Sequence, residues 1–204
     1  MFDLTESEIS RRLAGAPLLP VEEDFLAGWT PAAPRPAAVL IPFLRIADAW
    51  HILFTRRTEK VADHKGQVAF PGGRADPSDP SPEFTALREA NEEIGVNPGE
   101  VSILGRLQEL PTVSNYCITP VVGVIPWPYP LRLAAIEVTR AFYIPLTWLA
   151  DPTHHEIRTR TIPGSVVSIP VIYFQPYDGE LLWGVSAQIT LNLLITLGLL
   201  RQPS

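Results

Sequence analysis

The stretch from Ser81 to Gly95 constrains the fold most strongly, because it predicts a helix whose two sides need different surroundings. Ser81 is a favourable N-cap, Pro82 suits the first helical position, and Gly95 favours the end of a helix. Leu87 and Ile94 fall on one side of this helix. An apolar stripe of this kind packs on a sheet, so the helix is expected to cover one sheet face.

The other side of the same helix carries three glutamates, Glu89, Glu92 and Glu93. Each helical residue advances by ~100°, so the three carboxylates are expected to share one face. In a partly buried cleft, two carboxylates ~6 Å apart repel by roughly 3 kcal/mol at an effective dielectric of 20. A divalent cation removes this repulsion, and Mg²⁺ and Mn²⁺ prefer carboxylate oxygens. The alternative is a solvated acidic face that Arg88 tempers.

The remaining pattern predicts strands mixed with helices, without regular βαβ alternation, and therefore a mixed sheet between helices in an α/β fold. Residues 1–36 are predicted to form an N-terminal helix, opened by a capping box at Thr5, and an extension that packs on a domain of residues 37–204. The predicted strands are Ala38–Ile46, Trp50–Arg56, Gln67–Phe70, Val101–Leu107, Ile118–Ile125, Thr139–Ile144 and Val166–Phe174, and a last helix is predicted at Ser186–Leu200.

Composition excludes several classes of function. The net charge of −6 disfavours non-specific nucleic-acid binding, although a local patch or a metal can still attract a small anion. Cys117 is the single cysteine, so an internal disulfide is excluded. The first residues do not resemble a secretory signal, and the apolar stretch Ile189–Leu200 is too short to span a bilayer. We therefore expect a cytoplasmic protein with a small-molecule substrate and without a nucleic-acid or membrane partner. It is expected to be a monomer or, through the apolar last helix, a homodimer.

Gly72 and Gly73 precede the acidic helix, and glycines let a backbone approach a ligand closely. With the glutamates they form a pattern that resembles the Nudix box, which runs from a glycine through a glutamate to R-E-U-x-E-E-x-G-U, where U is aliphatic. The matching residues are Gly73, Arg88, Glu89, Ala90, Glu92, Glu93, Gly95 and Val96. Asp79 stands in place of the first glutamate of the box, and one extra residue separates it from Arg88.

The segment upstream resembles the coenzyme A branch of that family, whose motif combines L-L-T-x-R, a second arginine and F-P-G-G. The matching residues are Leu53, Thr55, Arg57, Gly66, Phe70, Pro71, Gly72 and Gly73. Ala62 replaces the second arginine, which weakens the inference about the substrate. The segment Trp183–Ala187 resembles the W-G-x-T-A segment of the same branch.

The resemblance implies the Nudix α/β/α sandwich and a hydrolase that uses Mg²⁺ or Mn²⁺. The implied reaction cleaves the diphosphate of coenzyme A or its thioesters into 4′-phosphopantetheine, or its acyl form, and adenosine 3′,5′-bisphosphate. By resemblance, the metal ligands are Glu89, Glu93, Glu92 and the Gly73 carbonyl; the catalytic residues are Glu92, Arg88 and Glu89; and the substrate contacts are Arg57, Gly72, Gly73 and Lys65.

Two further possibilities stay open at this point. One is a Nudix hydrolase of another nucleoside diphosphate derivative, such as NADH or ADP-ribose, which the Ala62 replacement keeps in view. The other is a non-catalytic Nudix-fold nucleotide-binding module, although such modules typically lose the helix glutamates. The general base is also open between a glutamate of the box and Glu137 from a distant loop, which could equally be a surface residue.

Overall fold

The computed structural model describes residues 4–16, 33–58, 66–161 and 168–201. The helices among them are α1 (Glu6–Ala14), α2 (Pro82–Ile94), α3 (Leu146–Leu149) and α4 (Val185–Thr196), with 3₁₀ turns at Pro98–Glu100 and Pro152–His154. The strands are β1 (Arg35–Ile46), β2 (Ala49–Arg57), β3 (Val68–Ala69), β4 (Gly72–Arg74), β5 (Ser102–Arg106), β6 (Leu110–Pro111), β7 (Tyr116–Val124), β8 (Val138–Pro145), β9 (His155–Thr161) and β10 (Ser168–Phe174).

Within these residues β1 to β8 form one mixed sheet, as the sequence predicted. Strand β1 is central: it pairs in parallel with β7, from Arg35 opposite Tyr116 to Phe43 opposite Val124. The other pairings are antiparallel. Strand β1 meets β2 and β4; β2 also meets β3 and β8; and β7 meets β5 and β6. Strands β9 and β10 form a separate antiparallel pair.

The two faces of the sheet are buried in two separate apolar clusters, which confirms the α/β/α sandwich. Because side chains alternate along a strand, neighbouring residues of β1 enter different clusters. Leu40 packs towards α2, with Ala86, Ala90 and Ile94 of that helix. Ile41 packs on the opposite face, in the cluster that contains residues of α1 and α4. The last helix is therefore part of this core.

The β1–β2 hairpin and α1 follow directly from local sequence. Ala47 and Asp48 both have positive φ, 45° and 62°, as a tight turn between twisted strands requires. Thr5 caps α1 by accepting a hydrogen bond from the Glu8 amide at 3.2 Å. The buried side chains of Ile9 and Leu13 then pack this helix against the sheet. Residues 17–32, which complete the predicted N-terminal extension, lie outside the described residues.

Three strands have no counterpart in the sequence prediction: β4, β6 and β9. Strands β4 and β6 are two or three residues long, and β4 consists of Gly-Gly-Arg, which carries no strand propensity. Strand β9 is exposed along most of its length, so its sequence lacks the alternation that marks a half-buried strand. In the described part of the chain, no helix has both the length and the apolar character that crossing a membrane requires.

Candidate active site

Helix α2 begins and ends where its capping residues predicted. The Ser81 hydroxyl accepts a hydrogen bond from the Phe84 amide at 3.2 Å, and Pro82 occupies the first turn. Gly95 adopts a left-handed conformation with φ of 71°, and its amide donates to the Asn91 carbonyl. These caps fix where the helix begins and ends, and packing on the sheet then decides which glutamates face inward.

The three glutamates of α2 lie in three different environments. The side chain of Glu93 is 3% exposed, that of Glu89 is 16% exposed, and that of Glu92 is 57% exposed. Glu89 and Glu93 therefore face inward, while Glu92 stands at the solvent edge. Among the described residues, no three Asp, Glu, His or Cys side chains already converge on one metal-sized point.

Glu93 is a buried carboxylate that pairs with one cation among the described residues. Arg57, at the end of β2, places its Nη1 3.4 Å from Glu93 Oε1, and the Gly72 amide also donates to this carboxylate. Burial raises the pKa of Glu93 to about 7, and the nearby charges of Glu137 and Glu89 act in the same direction. The Arg57 guanidinium and the Gly72 amide oppose the rise but do not cancel it. Ionising Glu93 is therefore unfavourable unless more positive charge is present.

Glu89 lies against the backbone of β4. A Cβ atom added at Gly73 would stand 2.5 Å from Glu89 Oε2, so only glycine leaves the carboxylate in this position. A Cβ at Gly72 would instead meet the Ala38 carbonyl oxygen at 2.5 Å, because β4 pairs closely with β1. Burial, in the first place, raises the pKa of Glu89. Both glycines of the motif are therefore explained by close approach, Gly73 to a carboxylate and Gly72 to a strand.

Arg88 holds the acidic residues together. It binds Asp79 through two nitrogens, with Nη2 2.9 Å from Oδ2 and Nε 3.2 Å from Oδ1. Its Nη1 donates to Glu89 Oε1 at 2.8 Å and to Glu92 Oε1 at 3.3 Å, and its Nη2 donates to the Arg74 carbonyl at 3.2 Å. The hydrogen bonds with Asp79, above all, raise the pKa of Arg88. Arg88 thus orients Glu89 and Glu92 from the side of the helix.

Asp79 has a structural role that the sequence did not reveal. Its side chain is 3% exposed, and it accepts hydrogen bonds from Arg88, from the Thr85 hydroxyl and from the Asp76 amide. The Arg88 hydrogen bonds lower the pKa of Asp79 to about 2. Asp79 is shorter than the glutamate of the sequence pattern and lies one residue further from Arg88, yet it anchors Arg88 to the loop before α2.

Glu137 reaches the same region from a loop far along the chain. The Ala134 amide donates to the Glu93 carbonyl at 2.9 Å, which ties this loop to the end of α2. The Thr58 amide donates to the Glu137 carbonyl at 2.8 Å, which ties the loop to the end of β2. The exposed carboxylate of Glu137 is close enough to raise the pKa of both Glu89 and Glu93. The loop therefore adds a further negative charge to the site.

The positions of the predicted substrate contacts are only partly described. Arg57, Gly72 and Gly73 meet at Glu93 and Glu89, as set out above. The Nε atom of Arg57 is buried and has no hydrogen-bond acceptor within the described ranges. Lys65 and Ala62 lie outside the described residues.

The donor set fits a hard divalent cation. Glu89 and Glu93 are inward-facing carboxylates, and burial raises the pKa of both despite the nearby guanidinium groups of Arg88 and Arg57. Carboxylate and backbone carbonyl oxygens are the ligands that Mg²⁺ and Mn²⁺ prefer. The Gly73 backbone lies directly beside the Glu89 carboxylate. A divalent cation bound here would allow the carboxylates of Glu89 and Glu93 to be ionised at the same time.

Comparisons with known proteins agree with this geometry. Residues 34–163 match the model of the NUDIX domain. The chain is 39% identical over 165 residues to the uncharacterized Nudix hydrolase NudL of Yersinia pestis (strain Pestoides F), and the match covers 79% of each protein. NudL of Yersinia pseudotuberculosis serotype O:1b (strain IP 31758) matches to the same extent. The chain therefore belongs to the Nudix hydrolase family.

A solved structure supports the fold. The crystal structure of the MutT/nudix family protein from Enterococcus faecalis superposes with a TM-score of 0.52 and 16% identity, over 95% of this chain and 74% of that one. As a Nudix hydrolase, the protein is an enzyme: a pyrophosphatase of nucleoside diphosphate derivatives. Nudix hydrolases use divalent cations and bind small nucleotides.

Proposed function

We propose that the protein hydrolyses the diphosphate linkage of coenzyme A or its thioesters, using Mg²⁺ or Mn²⁺. The products would be 4′-phosphopantetheine, or its acyl form, and adenosine 3′,5′-bisphosphate. The observation that carries this proposal is the ion pair of Arg57 and Glu93, at 3.4 Å. Arg57 belongs to the segment that resembles the coenzyme A branch, and Glu93 belongs to the Nudix box. The segment that suggests the substrate therefore contacts the residues that suggest the chemistry.

Other residues of the same segment support the proposal by their positions. Phe70 is buried in the core at 3% exposure, which fixes the chain just before Gly72 and Gly73. The Pro71 carbonyl accepts a hydrogen bond from the Leu40 amide at 2.8 Å. The Phe-Pro-Gly-Gly segment is thus held rigidly on β1, and its backbone faces the glutamates of α2.

Glu89, Glu93 and the Gly73 carbonyl would hold the divalent ion, with Glu92 beside them at the solvent edge. The bound ion would polarise the phosphoryl oxygens of the substrate and lower the pKa of a bound water. Arg88 acts as a positioning residue, because its contacts lead to Glu89, Glu92 and Asp79. Arg57, Gly72, Gly73 and Lys65 would contact the substrate phosphates.

A carboxylate must accept the proton of the attacking water. Glu92 and Glu89 are the box residues proposed for catalysis, and Glu137 is the alternative from the loop before β8. The position of Glu137 favours it more than its sequence context did, because its charge acts on both inward glutamates.

Product analysis tests this function. The protein would be incubated with Mg²⁺ or Mn²⁺ and, separately, coenzyme A, acetyl-coenzyme A, NADH and ADP-ribose. We expect adenosine 3′,5′-bisphosphate from the first two substrates, formed at least about tenfold faster than products from the others. Faster turnover of NADH or ADP-ribose would favour the alternative nucleotide hydrolase that Ala62 suggested. No turnover of any of the four substrates would contradict the proposed substrate class.

Two further properties belong to the proposal. We place the reaction in the cytoplasm, as the single cysteine suggests. The enzyme is proposed to act as a monomer or homodimer on its small-molecule substrate, without a nucleic-acid or membrane partner. Size-exclusion chromatography with light scattering distinguishes the two oligomeric states.

A further inference from the structure

Strand β9 lies at the edge of the small sheet that it forms with β10. The other edge of β10 is covered by the segment that follows it, because the Gly184 amide donates to the Ile172 carbonyl at 2.9 Å. Within the described ranges β9 pairs with β10 alone, and its side chains are exposed from Glu156 to Thr161. An exposed edge of this kind is a template for pairing with another strand.

The register of β9 on β10 decides which backbone groups point outward. The Gln175 amide donates to the His154 carbonyl at 2.7 Å, one step before the first residue pair of the two strands. Hydrogen-bonded and non-hydrogen-bonded pairs alternate in an antiparallel sheet. Pro170, which has no N–H to donate, is opposite Thr159, as this alternation requires. The amides and carbonyls that face the outer edge are therefore those of His155, Ile157, Thr159 and Thr161.

The middle of β9 carries charges of both signs around an apolar residue. Arg158 Nε donates to Glu156 Oε1 at 2.8 Å, and the two side chains are 58% and 59% exposed. Ile157 points to the opposite face and is 53% exposed, although Ile172 across the strand pair is buried. Edges that are protected against pairing commonly carry lysine, proline or a bulge. Strand β9 contains neither lysine nor proline.

A second copy of this chain complements the pattern through a twofold axis at Ile157. In an antiparallel pairing centred there, Ile157 faces its own copy, and each Glu156 faces Arg158 of the other copy. The outward backbone groups of Ile157 then face each other, and those of His155 face Thr159, so both pairs can exchange hydrogen bonds. Opposite charges placed directly across two strands stabilise the pairing, and the twofold axis supplies this contact twice.

Neighbouring registers place like charges opposite each other. An axis at Glu156 sets this carboxylate against its own copy, and an axis at Arg158 does the same with the guanidinium group. An axis at Thr159 sets Arg158 against Arg160 twice. Like charges directly opposite each other destabilise a strand pair. The charges therefore favour the register that is centred on Ile157.

We propose that the protein forms a homodimer in which the β9 strands of two copies pair antiparallel around Ile157. The two β9–β10 pairs then form one continuous sheet. The sequence suggested the apolar last helix as a dimer surface, but α4 is part of the core, and β9 offers an exposed alternative. Because one strand junction is a small interface, we expect the dimer to depend on concentration. The inference does not depend on the proposed metal site, whose glutamates come from one chain.

Charge reversal tests this surface. Sedimentation velocity over about a hundredfold range of concentration should show a dimer of the wild type. Arg158→Glu and Glu156→Arg should each raise the dimer Kd at least about tenfold, because each substitution acts twice across the axis. An equimolar mixture of these two variants should form a heterodimer, since every charged pair is then unlike again. Arg11→Glu reverses an arginine that is 75% exposed and paired with a glutamate on α1, and it should dimerise like the wild type.

Cysteine cross-linking tests the register. Facing residues of a hydrogen-bonded antiparallel pair have Cα atoms about 5.5 Å apart, which a disulfide can span. In a Cys117→Ser background, mild oxidation should link two copies at least about tenfold faster through Ile157→Cys than through Thr161→Cys, whose copies would lie at opposite ends of the junction. A wild type that stays monomeric, reversals that leave the Kd unchanged, a mixture that stays monomeric, or equal cross-linking at both positions would each overturn the proposal.

Discussion

Replacing Glu93 with glutamine is expected to stabilise the metal-free protein at pH 8. The carboxyl has an ordinary pKa of 4.5 and a pKa of about 7 in the folded protein. A carboxyl whose pKa is raised by folding adds stability below pH 4.5, and that stability is lost as the pH rises through 7. The difference between these two pKa values lowers the free energy of unfolding by about 3 kcal/mol at pH 8, and by less than about 1 kcal/mol at pH 5. Glutamine resembles the protonated carboxyl in shape, so Glu93→Gln should remove this loss of stability at pH 8.

Urea unfolding of both proteins at pH 5 and pH 8, with a chelator present, measures the effect. We expect Glu93→Gln to exceed the wild type by about 3 kcal/mol at pH 8, or by roughly 6–12 °C in Tm. Glu92→Gln is the matched control, because Glu92 is 57% exposed and its removal should change stability by less than about 0.5 kcal/mol. A stability difference for Glu93→Gln that is the same at both pH values would refute the reasoning, as would destabilisation at pH 8.

Three further changes test individual contacts of the site. In Gly73→Ala the new Cβ would displace the Glu89 carboxylate, so steady-state kinetics should show a loss of kcat of at least about tenfold with Tm changed little; normal turnover would contradict this. Asp79→Asn should lower Tm at pH 7 because Arg88 loses its ion pair with the buried Asp79 carboxylate. The difference in Tm between the wild type and Asp79→Asn should disappear as the pH falls from 3.8 towards 2, because Asp79 becomes protonated in this range. A Tm difference that does not depend on pH would contradict the ion pair. Glu137→Gln should lower kcat at least about tenfold in steady-state kinetics; an unchanged kcat would leave the proton transfer to the glutamates of the box.

Local signals in the sequence predicted the elements that local chemistry determines. Ser81, Pro82 and Gly95 gave both ends of α2, because capping depends on a few adjacent residues. The β1–β2 hairpin was also predicted, since two apolar strands flank a short turn at Ala47 and Asp48. The mixed sheet followed from the order of strands and helices.

Contacts between distant residues could not be predicted in the same way. The parallel pairing of β1 with β7 depends on a register that only the packed core defines. Helical periodicity placed Glu89, Glu92 and Glu93 on one face. It could not show that the tertiary fold buries Glu93 and Glu89 but leaves Glu92 at the edge.

The ion pairs between β2, β8 and the turn after β10 illustrate the same limit. Arg56 is visible as a basic residue in the sequence, but the register of β2 on β8 places Arg140 opposite it. Glu180, which holds the two guanidinium groups, arrives from a turn after β10. No spacing rule connects these three positions, because their contact arises only from the tertiary fold.

Titration of Mn²⁺ into the metal-free protein tests most directly whether Glu89 and Glu93 form a divalent-cation site. Free Mn²⁺ would be followed by its paramagnetic resonance signal. We expect saturable binding by the wild type, with Kd raised at least about tenfold in Glu89→Gln and in Glu93→Gln. Glu156→Gln, on the exposed β9, should bind like the wild type. Equal Mn²⁺ affinity in all four proteins would contradict the proposed metal site.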